Sequence, residues 1–392
     1  MTTDILAALQ SVDPAVLTNI VRQDQRNPDF ELLDWTVQPL SHEKIIETTG
    51  GLFCFRGNGR TGSTKQPWSV VVKIVNQSQG VEGQEARDWC YWQREMLAFQ
   101  SGMLTALPSA IRAPRCYDVM EQERSGWIWL EHLAETTPQA WSPEHFRRAA
   151  YQMGCFAGAY LTGTPLPDYP WLGDPFFRSV FADGGWWATH MALTNPENFW
   201  QRPIVQQAFS PVLCARVQAV WAEKIRFFTM IDRLPQVFCH HDLHRRNLMW
   251  TTAADGHDEL VVLDWAFCGH GPVGSDLGEL VATSSYFFDS DPSQIAALET
   301  AVFASYVEGL RVTGWSGDER LVRLGYVSCT ALWMGATLPG WAAIMLDPAA
   351  GIHVQAMYGH PAEEVLTAWV ALTEFFMDRA DEARTLMALL VI

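Results

Sequence analysis

Two polar clusters, each set against a short apolar run, constrain this chain more than any other feature. Val237-Phe238-Cys239 leads into His240-His241-Asp242-Leu243-His244-Arg245-Arg246-Asn247, and Leu248-Met249-Trp250 follows. Further on, Leu260-Val261-Val262-Leu263 runs into Asp264-Trp265. Short β-prone runs bounded by polar residues read as buried strands. The segment Thr251 to Asp258 between them is polar and holds an Asp255-Gly256 pair, which reads as a turn. A hairpin-like unit of this kind brings Asp242, Asn247 and Asp264 near one another. Phosphoryl transfer asks for such a set. One carboxylate orients the attacking hydroxyl and takes its proton, while an Asn and a second carboxylate hold the metal ions that bridge the phosphates. The pattern is specific because three residues must agree in order and spacing.

A chain of 392 residues exceeds what one core usually serves, so two lobes are expected. With 48% hydrophobic and 18% charged residues it is a folded chain, not a disordered one. A net charge of −17 argues against a nucleic-acid backbone or an anionic membrane as partner. It is compatible with a cationic acceptor, although many soluble enzymes are simply acidic. The eight cysteines contain no C-x-x-C pair, which reads as reduced thiols in a cytoplasmic protein. Met1 to Gln10 lacks a basic start and apolar core, so no signal peptide is expected. No uninterrupted apolar run reaches the ~18 residues of a spanning helix.

Along the chain, Thr2 to Arg22 fits one or two short helices broken at Pro14. Thr36 to Glu47, Leu52 to Arg56 and Trp68 to Val75 read as three strands joined by Gly-containing turns, the start of an antiparallel sheet. Gly57-Asn58-Gly59-Arg60-Thr61-Gly62 spells G-x-G-x-x-G, but a dinucleotide fingerprint needs a helix directly after it. A β-rich run follows instead, so it reads as a hairpin tip. The better phosphate loop is Thr48 to Phe53, where Gly50-Gly51 lets backbone amides approach an anion. Lys73 lies in the third apolar run and points outward or meets a partner. Glu82 to Ser101 reads as a helix that sets Glu95 on the apolar face of Trp92, Met96 and Phe99, where a carboxylate needs a cation. Glu85 is the second choice.

Two further strands, Arg112 to Met120 and Gly126 to Glu131, precede a mostly helical remainder. Helical stripes run through Phe146, Ala150, Met153, Ala157 and Tyr160, and through Val217, Val220, Trp221, Ile225 and Phe228. Another helix starts at Gly274 to Glu279, capped by Ser275 or Asp276. Ile295 to Gly309, Arg320 to Thr337 and Ala362 to Leu390 continue the pattern. The Trp-rich stretch Asp183 to Arg202, with Trp186, Trp187 and Trp200, joins Trp333 and Trp341 either as core or as walls of an acceptor pocket.

The sequence resembles the aminoglycoside phosphotransferase and choline kinase family, the small-molecule branch of the protein-kinase-like fold. His240-x-Asp242-x-x-x-x-Asn247 matches the family's catalytic loop, and Leu263-Asp264-Trp265 its metal-binding segment. The family usually has Gly where His241 stands and often Pro-Gly where Arg245-Arg246 stand. Protein kinases usually have Lys where His244 stands. The resemblance covers most of the chain and is sharp in four short segments.

It implies an α+β, two-lobed fold. An N-terminal antiparallel sheet with one main helix (residues 1–132) would bind nucleotide, and a larger, mostly helical lobe (residues 133–392) would hold the catalytic and acceptor sites. It further implies ATP or GTP with Mg2+, Asp242 as catalytic base, and Asn247 and Asp264 as metal ligands. Lys73 would hold the phosphates and pair with Glu95. Gly50 and Gly51 would lie in the nucleotide loop, and Glu131 and Leu133 in the hinge that meets the base. Asp276 would brace the catalytic loop. The acceptor would be a hydroxyl of a small molecule such as an antibiotic, amino alcohol or sugar, with a Ser or Thr of a biosynthetic peptide as the alternative. The enzyme would be a monomer or homodimer.

Two other classes compete. A metal hydrolase would use the dense cluster of His240, His241, Asp242 and His244, but leaves Asn247, Asp264 and Lys73 unexplained. A kinase-like scaffold without activity would usually lack one of the base, metal or lysine positions, all of which are present here.

Overall fold

The computed structural model describes residues 2–41, 49–78, 80, 83–137, 140–173, 175–183, 185, 187, 203–253, 255–346 and 354–390. It is a two-lobed α+β molecule. Two helices come first, α1 (Thr2–Gln10) and α2 (Pro14–Asp24). Pro14 starts the second helix, a position where its missing N–H costs nothing, and the Asp13 side chain accepts from the Ala15 N–H at 2.8 Å.

A five-stranded antiparallel sheet follows: β1 (Glu31–Ser41), β2 (Thr49–Thr61), β3 (Thr64–Asn76), β4 (Cys116–Glu121) and β5 (Ser125–Glu131), in the order β1-β2-β3-β5-β4. Two expectations need correcting. β1 starts five residues earlier than its apolar pattern suggests, because backbone pairing with the long β2–β3 hairpin needs no apolar side chains there. Glu31 lies opposite Arg60, to which it is ion-paired at 2.6 Å. Residues 42–48, part of the expected strand and loop, lie outside the described residues. Gly50 and Gly51 are not loop residues but the start of β2. A Cβ on Gly50 would sit 2.5 Å from Ile74 Cγ2, so glycine here lets β2 and β3 approach.

The G-x-G-x-x-G run divides in the same way. Gly62, at φ +58°, makes the turn of the hairpin tip. Gly57 and Gly59 sit within β2, where a Cβ would meet the Asp34 carbonyl at 2.1 Å and the Phe30 ring at 2.2 Å.

Side chains alternate along β3. Val70, Val72 and Ile74 pack with Phe53, Phe55 and Trp129 beneath α1 and α2. Val71 and Val75 face the other way, toward Trp92 and Met96, and Lys73 shares their face. The helix expected over residues 82–101 is only α3 (Arg94–Gln100). Residues 83–93 are irregular because other partners take their backbone groups. Asp88 Oδ2 accepts from the N–H groups of Gly83 and Glu85. The Arg94 guanidinium donates to the carbonyls of Ala86, Asp88 and Trp89, which a helix would have used.

The helical lobe opens with α4 (Pro143–Leu161) and includes α5 (Phe176–Val180), α6 (Pro211–Ala222) and α7 (Lys224–Ile231). The expected single stripe through α6 and α7 breaks at Glu223, which resets the register and leaves Ile225 57% exposed. Two small sheets carry the polar clusters. β6 (Gln236–Cys239) pairs with β9 (Gly269–Pro272), and β7 (Leu248–Thr252) with β8 (Asp258–Val262) in an antiparallel hairpin. Next come α8 (Ser275–Gly278), with a π-helical turn Glu279–Thr283 directly after it, and α9 (Ile295–Val312). Gly154 and Gly309 let α4 and α9 touch at backbone distance.

Then α10 (Glu319–Thr330), a second π turn Ala331–Gly335 and α11 (Ala336–Met345) form one long rod, and α12 (Ala362–Leu389) closes the fold. The stretch Glu319–Met345 is long and apolar enough to cross a membrane by composition, but its most apolar part is mostly buried, so the apolarity serves the core. Arg112 joins the lobes. Its N–H donates to Leu260 O at 3.1 Å, its carbonyl accepts from Val262 N at 2.8 Å, and its side chain pairs with Glu131 and Glu259.

Candidate active site

The two polar clusters meet where the lobes face each other. Lys73, 5% exposed, sits with its Nζ 2.6 Å from Glu95 Oε2 and 2.7 Å from Asp264 Oδ1. Glu95 Oε1 accepts from the Trp265 N–H at 3.2 Å, so the α3 carboxylate holds both the lysine and the backbone after Asp264. Glu85, the second choice, is exposed and paired with Arg87. Burial pulls the Lys73 pKa down, but the two carboxylates more than offset it and hold the ammonium charged. Asp264 is the member held below the usual carboxylate range, by that ammonium, while burial pushes Glu95 up. Asp264 also sits at φ +58°, a left-handed conformation that a non-glycine residue adopts only where its surroundings impose it.

Asp242 opens onto the same cavity, of about 50 Å³, with Lys73, Glu95 and Asp264. Asn247 Nδ2 donates to both Oδ2 and the carbonyl of Asp242 at 2.8 Å, which leaves its own Oδ1 available to a cation. Burial pushes the Asp242 carboxyl well above its ordinary range, with Asp264 and Glu279 adding to the effect. One ammonium thus faces three carboxylates around a small cavity. These hard oxygens, with Asp264 held ionised, fit a divalent cation such as Mg2+.

The neighbouring histidines serve the backbone. His240 Nε2–H donates to Leu263 O at 2.8 Å while Nδ1 accepts from Asp242 N, which ties the two clusters together. His244 Nδ1 accepts from Arg246 N, and His241 Nε2–H donates to His270 O. Burial lowers their pKa values to about 4 for His240 and about 3 for His241 and His244, so all three are neutral at pH 7. Among the described residues the three rings do not share one ligand group; His241 groups instead with Cys239 and Asp276. His241 has φ +64°, which explains why a Gly is common at this position; its ring stacks on Phe176 at 4.4 Å. Arg245 and Arg246, in place of Pro-Gly, anchor the loop through Glu135 and Asp289.

Asp276 does not cap its helix. Gly274, in a left-handed conformation, precedes α8, and the Asp276 oxygens accept from the amides of His240 and His241 at 2.8 Å each. Glu131 ends β5 with its carboxylate turned to Arg112 and Arg115, so only its backbone could serve a base. Leu133 follows, half-buried, in the irregular link to the helical lobe. Gly51 pairs with Ile74 of β3, next to Lys73, and Gly50 lies at the irregularity between the Thr49 and Gly51 pairs.

A model of the phosphotransferase enzyme family matches residues 66–313, well over half the chain, and includes Lys73, Glu95, Asp242, Asn247 and Asp264. The chain belongs to that family. It is a phosphotransferase, with an alcohol group as the class of acceptor. Among solved structures, the phosphotransferase is similar to a microcompartment-associated aminopropanol kinase (11% identity, TM-score 0.53, 95% of this chain and 98% of that one). It is also similar to an amicoumacin kinase in complex with AMP-PNP, Ca2+ and Ami (10% identity, TM-score 0.51, 97% and 96%). At such identities the likeness concerns the fold. No curated protein matches.

Reading the sequence missed Arg94. This side chain is 2% exposed, and besides the three carbonyls before α3 it reaches Trp171 O at 3.1 Å and Ala266 O at 3.4 Å. It joins α3, the segment after Asp264 and the helical lobe. A charged residue next to Glu95 in an apolar stretch was the available signal. Cys90, Tyr91 and Trp92, which line the cavity, also went unassigned because residues 83–93 read as a plain helix. Of the expected aromatic walls, Trp186 and Trp200 lie outside the described residues. Trp187 is buried and packs on Trp333 at 4.7 Å and Trp341 at 5.4 Å.

Proposed function

We propose that this phosphotransferase is a Mg2+- and ATP-dependent small-molecule kinase that moves the γ-phosphate to an alcohol of the acceptor. The observation that carries this reading is the position of Lys73 between Glu95 and Asp264, with Asp242 on the same cavity. The Asp242 carboxylate accepts the hydrogen bond of the acceptor hydroxyl, aims its oxygen and takes its proton. A bond forms between that oxygen and the γ-phosphorus as the bridge to the β-phosphate breaks, and ADP leaves. Asn247 holds Asp242 in this pose through Nδ2. Lys73 offers its ammonium to the phosphates, and Glu95 keeps it in place. Asp264 and Asn247 Oδ1 would hold Mg2+, which when bound offsets the charge of the triphosphate. The base would rest against the backbone of Glu131 and Leu133, a contact open to ATP or GTP.

The test is ADP release over a panel of amino alcohols, aminoglycosides, other antibiotics, sugars and Ser- or Thr-containing peptides. Asp242→Asn should lower turnover by about 10²–10⁴-fold with nucleotide affinity by calorimetry little altered. Asp264→Ala should stop transfer at any Mg2+ concentration, while Asn247→Ala regains part of its activity at higher Mg2+. Undiminished turnover in Asp242→Asn, or transfer that persists in excess chelator, would refute this reading.

A further inference from the structure

His241 is the residue of the catalytic loop that the transfer mechanism leaves unused. It holds φ +64°, a left-handed conformation in which a glycine is free of strain and a histidine is not. Its side chain is turned inward, 2% exposed, so it serves neither solvent nor the acceptor. The ring lies flat on Phe176, with the two planes 5° apart, and this stacking fixes its orientation. Nε2–H donates to His270 O at 3.2 Å, which leaves Nδ1 as the nitrogen with the lone pair. Among the described residues Nδ1 is buried and has no hydrogen-bond partner. A neutral imidazole with one N–H held by a backbone carbonyl and the other nitrogen bare is the form that ligates a metal ion.

Two further ligands stand beside it. Cys239 ends β6 and Asp276 lies in α8, and both are buried. A ring nitrogen of His241, Cys239 Sγ and an oxygen of Asp276 all lie within 4.8 Å of one another. Gly271 lets the first two come together, since a Cβ there would sit 2.7 Å from His241 Cε1 and 2.8 Å from Cys239 Sγ. Each Asp276 oxygen accepts one backbone amide, from His240 or His241, and keeps a second lone pair. A thiolate and a carboxylate together carry two negative charges. They cancel the charge of a divalent ion, the condition for keeping one in a buried place. A sulfur, a nitrogen and an oxygen suit zinc, whereas magnesium takes oxygens alone. A void of about 10 Å³ borders Cys239, Ser275, Asp276 and Tyr306, about the size that one water fills.

We propose that Cys239 Sγ, His241 Nδ1 and a carboxylate oxygen of Asp276 bind a zinc ion that fastens the catalytic loop to β6 and α8. The site is structural and separate from the Mg2+ position at Asp264 and Asn247, and it stands whether or not the phosphotransfer reading does. A sulfur–zinc bond forms as the thiol gives up its proton to solvent, and a water completes the four ligands. The strain of a histidine at a left-handed position then has a use, because the residue directly before Asp242 becomes a ligand.

The experiment uses the full chain without a polyhistidine tag. Protein stripped with a chelator and then given Zn2+ should retain about one zinc per chain through gel filtration, measured by plasma mass spectrometry. Zn2+ should also raise the thermal midpoint of the stripped protein by several degrees, and Mg2+ should not. Co2+ in place of Zn2+ should give the near-ultraviolet absorption of a thiolate bound to cobalt, a signal that reports the cysteine directly and needs no variant. Cys239→Ser should lose the cobalt absorption, and both Cys239→Ser and His241→Gly should lose the retained zinc and the thermal shift. His241→Gly places at this position the residue its backbone conformation favours, so it tests the ligand without a folding penalty from φ. Stripped parent that takes up no zinc, shows no cobalt–thiolate absorption or melts at the same temperature with Zn2+ overturns the proposal. Retention of zinc by His241→Gly and Cys239→Ser as full as in the parent places the ion elsewhere and overturns it as well.

Discussion

Two buried carboxylates flank Asp242, and the molecule treats them in opposite ways. On the nucleotide side, Glu95 meets Lys73 at 2.6 Å, and Lys73 in turn meets Asp264. On the far side, Glu279 has hydroxyl and indole donors but no cation. The first arrangement is complete before any ligand arrives. It fixes a lysine that would otherwise be costly to bury, and keeps Asp264 ionised beside the cavity. The second is incomplete. Burial pushes the Glu279 carboxyl up to about 8, so the free protein holds it largely protonated at pH 7. A prepaired charge keeps its group ionised in a buried place, whereas an unpaired one is kept protonated by the same burial.

The largest effect comes from breaking the paired side. Lys73→Met leaves Glu95 and Asp264 facing each other without a cation, and loss of one member of a buried ion pair costs about 3–5 kcal/mol. Urea unfolding should show this loss, and transfer should fall with it. Adding Glu95→Gln should return part of the stability but none of the transfer, since the two sites share one interaction. If Lys73→Met unfolds at the urea concentration of the parent, the triad is not buried as described.

On the unpaired side the sign reverses. The unfolded chain releases the Glu279 proton near pH 4.5, the ordinary value, and the folded protein only near 8. Between these values the folded state holds a proton that the unfolded state has lost, so stability falls as pH rises. Glu279→Gln removes this dependence. Relative to the parent it should gain stability from about pH 5 to about pH 9, by roughly 3 kcal/mol, since one pKa unit is worth about 1.4 kcal/mol and the protein relaxes around a buried charge. Thermal unfolding of both proteins across that range checks it. A flat difference would mean that Glu279 is already ionised and paired.

The contrast also explains what could be read from the sequence. Asp242, Asn247 and Asp264 were legible because their spacing follows from the β7–β8 hairpin, a local unit. Lys73 and Glu95 required the kinase resemblance, since 22 residues and an irregular segment separate them. That segment was misread because its carbonyls bond to the Arg94 side chain, which hydrophobic spacing does not register. Gly50 and Gly51 were read as lying in a loop between strands; they lie in β2, and the close approach of Ile74 to Gly50 is a packing reason that spacing does not show. Glu279 looked like one more residue of a helix start. Only packing against a second π turn, more than 50 residues away, reveals that it is buried without a cation.

Arg94 gives the smallest and sharpest test, because it serves the paired side without touching it directly. Its guanidinium donates to five carbonyls, and no carboxylate pairs with it among the described residues. One of those carbonyls belongs to Ala266, two residues past Asp264, and the side chain leaves α3 next to Glu95. A planar five-donor fork meets such a set, whereas an ammonium with three donors does not. Arg94→Lys keeps the charge and loses at least one of these bonds, for a cost of about 1–2 kcal/mol. Because the lost bonds orient the Asp264 segment, the Mg2+ concentration needed for half-maximal transfer should rise several-fold while the acceptor KM stays put. Arg94→Met should shift Mg2+ dependence further in the same direction. If both variants lose stability but keep the Mg2+ dependence of the parent, Arg94 fastens the lobes and has no part in placing Asp264.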